Sequence, residues 1–141
     1  MPEENEREVQ VLTLEQANAL IPKVETMLRS LRAIEKQIVA KQAEVDLEEL
    51  VGAKADGSLS ESGKVSRSKK LNEYNLLVQQ FYSVSEEMDK AGGVLKDVNK
   101  GLVDFYTLRD NELVFLCWVE GEKEIKYWHT LQDGFPGRQP I

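Results

Sequence analysis

His129 is the only histidine in the chain and the one side chain whose ordinary pKa lies near neutrality. To act as a general base it needs a carboxylate to orient it, and Asp104 and Glu124 are the candidates if the sheet brings either close. Asp104 is itself unusual. In V-D-F (103–105) a carboxylate sits inside an apolar strand, which costs free energy unless the charge is paired. Either it finds an arginine, Arg109 or Arg138, or a backbone partner, or it belongs to a small polar pocket. Cys117, the only cysteine, lies mid-strand in an apolar run where thiols are normally inert. No Ser-His-Asp or Cys-His motif surrounds these residues. His129 is therefore read as a structural histidine, hydrogen-bonded beside Tyr127 and Trp128.

A mixed metal site from His129 with Asp97, Asp104 or Asp133 lacks ligand-like spacing. G-F-P-G-R (134–138) has glycines like a phosphate loop, but no Gly-Lys-Ser/Thr end and no following helix. Its arginine retains a fork suited to a carboxylate or phosphate. The sequence thus assigns no catalytic residue, no metal and no cofactor. If a small-ligand or anion site or an active site exists, its candidate residues are Asp104, Arg109, Trp118, His129 and Arg138, on the sheet.

The composition narrows the partners. A chain of 141 residues forms one domain with a core large enough to need no staples. The net charge of -7 repels phosphate, which argues against nucleic acid and anionic membrane surfaces. A single cysteine excludes an internal disulfide. The acidic start, MPEENEREVQ, has neither the basic nor the apolar region of a signal peptide, and no apolar run approaches the ~20 residues of a membrane span. The expected setting is the cytoplasm.

These side chains must be placed by local structure. Residues 1–7 are expected to be disordered. V-Q-V-L (9–12) is a short strand or an extended lead-in. Thr13 then reads as an N-cap, with Gln16 completing a capping box. Apolar residues recur at Ala17, Ile21, Val24, Leu28, Leu31, Ile34, Ile38 and Val45, one face of a helix over 13–50. Pro22 either kinks that helix or starts a second one. Residues 52–64 are polar, glycine- and serine-rich, and predicted to be a flexible loop open to proteolysis. Leu71, Tyr74, Val78, Phe81, Ser85 and Met88 form a heptad-like seam on a second helix over 66–91, ended by Gly92-Gly93. Lys64, Arg67, Lys69 and Lys70 would lie beside Glu44, Asp46, Glu48 and Glu49 in an antiparallel pair and offset them.

Beyond the glycines the period becomes strand-like. Strands are predicted at 94–98, 102–108, 113–119 and 125–129, with Gly101 at a left-handed position and Asp110-Asn111 as a two-residue hairpin turn. That turn fixes register. It pairs Phe105 with Leu116 and Val103 with Trp118 on one face, and Asp104 with Cys117 and Tyr106 with Phe115 on the other. Both faces are apolar, so both need cover. The fold class is α+β: a long antiparallel helical hairpin, a four-stranded antiparallel meander over 94–131, and an ordered tail over 132–141.

The strings G-L-V-D-F (101–105), L-C-W (116–118), Y-W-H (127–129) and G-F-P-G-R-Q-P (134–140) resemble a bacterial family of unknown function, the domain-of-unknown-function family numbered 2203. The likeness covers roughly residues 11–141. Asn111 departs from an Asp-Gly turn but still suits that turn. The resemblance implies the same fold and brings no activity, substrate or site residue.

Two further expectations follow. The surplus of apolar surface predicts a non-enzymatic interaction module, a homodimer through its helical hairpins. The tail is expected to fold across the sheet, with Phe135 in the core and Arg138 paired to Asp104.

Overall fold

The computed structural model describes residues 9–141. The segment 1–7, expected to be disordered, lies outside the described residues. Two helices, α1 (Leu14–Val51) and α2 (Glu61–Ala91), precede five strands: β1 (Val94–Asp97), β2 (Leu102–Arg109), β3 (Glu112–Val119), β4 (Tyr127–His129) and β5 (Gln139–Pro140). The strands form one antiparallel sheet in the order β1-β2-β3-β4-β5. The expected meander gains a fifth strand from the tail. Pro140 is tolerated there because an edge strand has a side that needs no donor.

The start of α1 is fixed by its cap. The Thr13 backbone N–H donates to Gln16 Oε1 (2.9 Å), and the Gln16 N–H donates to Thr13 Oγ1 (3.1 Å). Residues 9–12 form no strand, although Leu12 N–H donates to the Tyr106 carbonyl on β2 (2.8 Å). The helix runs through Pro22 and no second helix begins there. The carbonyl of Pro22 accepts from the Thr26 hydroxyl one turn on (3.1 Å).

The chain divides into two compact units: a sheet unit, from the N-terminal residues through Arg29 together with Ser85–Ile141, and a helical unit, Ser30–Val84. In the helical unit α2 begins at Glu61, five residues earlier than its apolar period suggests. Ser60 is the reason: its Oγ accepts the Gly63 N–H (3.1 Å) and caps the helix. Residues 53–60 close a compact turn with a bridge between Ala53 and Leu59. Gly52 and Gly63 meet backbone to backbone, and a Cβ on either would come within 3.2 Å of the other's Cα. Part of the expected pairing forms, Arg67 with Glu49 (2.9 Å) and Lys70 with Glu44 (3.8 Å), while Lys64 meets Glu61 (3.5 Å) and Lys41 joins Glu44 (2.6 Å) and Glu73 (2.7 Å). Exposed pairs of this kind contribute little stability each.

In the sheet unit the turn at Asp110-Asn111 has positive φ at both residues, 52° and 65°, which matches the twist of the strands it joins. The predicted register holds throughout, with Val103 opposite Trp118, Asp104 opposite Cys117, Phe105 opposite Leu116 and Tyr106 opposite Phe115. Gly101 has φ 71°, and Asp97 Oδ1 holds the same loop by accepting from the N–H groups of Asn99 and Lys100. Ala17, Ile21, Val24, Leu28, Met88, Val103, Phe105, Leu116 and Trp118 are buried as the core of the unit.

The register depends on the left-handed pair at the turn, so Asn111→Val should lower stability by about 1–2 kcal/mol, whereas Asn111→Gly should keep the fold. Thermal unfolding checks this. An unchanged melting temperature for Asn111→Val would mean that the turn does not hold the register.

Candidate functional site

The face of the sheet bearing Asp104 also carries Cys117, Phe115, Tyr127 and His129, because cross-strand partners share a face. Asp104, Cys117 and His129 are 2%, 1% and 1% exposed. Asp104 Oδ2 lies 2.9 Å from His129 Nε2. The contact is diagonal: Asp104 sits opposite Cys117, and His129 sits opposite Phe115, so the imidazole reaches across β3. On its other side His129 Nδ1 lies 2.7 Å from the carbonyl of Thr130. A carbonyl can only accept, so Nδ1 carries a proton and donates it. One more proton is shared between Nε2 and Oδ2, and the pair is either imidazolium with carboxylate or imidazole with carboxylic acid.

Burial holds the Asp104 carboxyl above its ordinary range, opposed by His129 and Lys96. Lys96 lies 4.4 Å from the Phe115 ring on this same face. Burial also pushes the Cys117 thiol up to about 12, helped by the charge of Asp104; a hydrogen bond from Arg138 pulls the other way. That thiol is not a nucleophile near neutral pH.

Asp, His and Cys are the residue types of a nucleophile triad, but the contacts run in the wrong order. In a triad the imidazole lies between nucleophile and carboxylate. Here Asp104 contacts both His129 and Cys117. Both imidazole nitrogens are engaged, by Asp104 and by Thr130, and neither is left for the thiol.

The five residues singled out in the sequence do not converge. Asp104 and His129 meet, while Trp118 and Arg109 lie on the opposite face. Trp118 Nε1 donates to the Glu122 carbonyl (2.8 Å). Arg109 covers the ring of Trp128 (4.6 Å) beside an open groove of about 390 Å³, whose walls include Leu14, Thr107 and Leu116. Arg138 does not pair with Asp104 as expected. It pairs with Glu122 (3.3 Å) and covers the Tyr127 ring (4.0 Å). Glu122 holds the guanidinium, which from there reaches the Cys117 thiol beside Asp104. Phe135 is not a core plug either. It is 38% exposed, with the Arg138 guanidinium 4.7 Å from its ring. Lys96, Glu122 and Thr130 were not anticipated, and Cys117 was anticipated only as inert. The register nonetheless places Cys117 directly opposite Asp104, and that pairing was the signal.

Asp104, Cys117 and His129 each offer one donor atom, and these atoms lie within 4.8 Å of one another. Among the described residues they are the group that could hold a metal ion. Among the described residues no helix is long and apolar enough to cross a membrane.

A helical hairpin followed by an antiparallel sheet, with a buried Asp-His-Cys cluster on one face, is the class of protein that this chain represents. The chain matches, over residues 10–141, the family described as uncharacterized conserved protein (DUF2203), and it belongs to that family. No curated protein and no solved structure matches it.

Burial both raises the Cys117 thiol pKa and shields its sulfur from reagents. Alkylation of Cys117 by iodoacetamide at pH 8 should therefore be far slower in the native protein than in urea, where the thiol is exposed. Comparable rates would show a reachable, ionised thiol and contradict the burial described here.

Proposed function

We infer that the protein is a non-enzymatic interaction module that works as a homodimer, two copies joining their helical units in a four-helix bundle. One observation carries this reading. Within Ser30–Val84 the residues of the apolar seam stay half-buried: Ile34, Ile38, Tyr74, Leu77, Val78 and Phe81. Leu31 and Val45 are the fully buried large apolar side chains of that segment. Two helices touch along one line, so each keeps an apolar flank in water. A second pair laid against those flanks buries them, and this is how four-helix bundles gain their core.

Exposed side chains support the same reading. Val39 is 64% exposed and Leu76 is 58% exposed. The Lys41–Glu73 bridge sets them at the same level of the antiparallel pair. Leu76 also lines a groove with Ile34 and Val84. Burying such side chains contributes about 25 cal/mol per Å² of apolar surface removed from water.

Light scattering coupled to size exclusion tests the reading. The expected mass is twice the 16.0 kDa of one chain. Val39→Lys with Leu76→Lys should give monomers of unchanged helix content, because neither side chain is buried within its own chain. A parent protein that runs as a monomer at micromolar concentration sinks the proposal.

A further inference from the structure

The geometry points to a buried transition-metal site on the sheet, in which His129 Nε2, Asp104 and Cys117 Sγ bind a dication of borderline softness such as Zn²⁺.

The donor set is the first argument. Imidazole nitrogen, carboxylate oxygen and thiolate sulfur are the three ligand types that Zn²⁺ takes, and three protein donors suffice when water or a small anion completes the tetrahedron. The spacing is the second. Donors bound to one Zn²⁺ at about 2.0–2.3 Å stand roughly 3.3–3.8 Å apart. Here all three atoms lie within 4.8 Å of one another, and the nitrogen and oxygen are 2.9 Å apart. Side-chain movements of a few tenths of an ångström to about an ångström convert one arrangement into the other.

The outer contacts are the third. His129 gives its Nδ1 proton to the Thr130 carbonyl, which fixes the tautomer and leaves Nε2 as the ligating atom. Metal-bound histidines are held by a second-sphere acceptor in the same way. The site lies on three adjacent strands, Asp104 on β2, Cys117 on β3 and His129 on β4, so its donors come from hydrogen-bonded backbone.

Charge is the fourth. The shared proton between Nε2 and Oδ2 occupies the place that a metal would take. Binding then releases that proton and the thiol proton, and the dication neutralises one carboxylate and one thiolate. Lys96 and Arg138 face the same cluster and weaken its hold on a cation. Affinity should therefore rise with pH, since protons compete with the ion for all three donors.

The test uses the full chain, stripped with chelator and titrated with Co²⁺ as the spectroscopic substitute. Saturation at one equivalent is expected, with an intense near-ultraviolet band from thiolate to Co²⁺. Cys117→Ser should abolish that band and weaken binding at least tenfold, and His129→Gln should weaken it similarly. Zn²⁺ should displace Co²⁺ and raise the melting temperature of the parent. If a variant fails to fold, the thiolate band in the parent still decides the matter. Absence of saturable binding, binding without the thiolate band, or undiminished binding by Cys117→Ser would each overturn the assignment.

Discussion

The hydrogen bond between Asp104 and His129 is the interaction on which the arrangement of the sheet depends. A carboxylate in the middle of an apolar strand is costly unless something satisfies it. Asp104 is 2% exposed, and His129 meets it at 2.9 Å by reaching across the central strand. That reach requires β4 to lie where it does, with His129 opposite Phe115 and Tyr127 opposite Cys117. Docking the Tyr127–His129 segment in turn gives the tail an edge to pair with, and β5 forms against Tyr127 and Trp128. The polar contact thus specifies position as much as it stabilises. A buried hydrogen-bonded pair contributes modestly when made and costs several-fold more when one partner is lost.

The two faces of the sheet do different work. One is apolar core, with Val103, Phe105, Leu116 and Trp118 buried. The other combines aromatic rings with charge: Lys96 near Phe115, Arg138 over Tyr127, and the Asp104–His129–Cys117 cluster. Guanidinium and ammonium groups laid on ring faces cover apolar surface with their stems and keep their charge near water. In this way charged side chains lie over aromatic rings of the second face, while the seam residues of the helical unit stay half-buried.

How much of this was legible in the sequence follows from how local each determinant is. Thr13 and Gln16 cap α1 within four residues, and Asp110-Asn111 sets the β2–β3 register by itself, so both were readable. The β3–β4 connection spans seven residues between Val119 and Tyr127, and no turn type fixes its register. Ile125, read as the start of that strand, instead donates its N–H to Asn18 Oδ1 (2.7 Å). The partner of Asp104 was therefore hidden among several possibilities, although His129 and Asp104 were each singled out. The tail misled for a different reason. Phe135 carries the composition of a core residue, but it rests against Arg138 at the surface, and only the pairing of Gln139 with Trp128 explains why. Glu122 draws Arg138 away from Asp104, and it sits in a turn that sequence pattern marks only as polar.

The most direct measurement is a double-mutant cycle on Asp104 and His129 in metal-free protein, with Asp104→Asn, His129→Gln and the double variant unfolded in urea. A shared, buried hydrogen bond predicts a coupling energy of about 1–3 kcal/mol, with the double variant much less destabilised than the sum of the single ones. Additivity within ~0.5 kcal/mol would contradict the account, because groups that do not touch change stability independently.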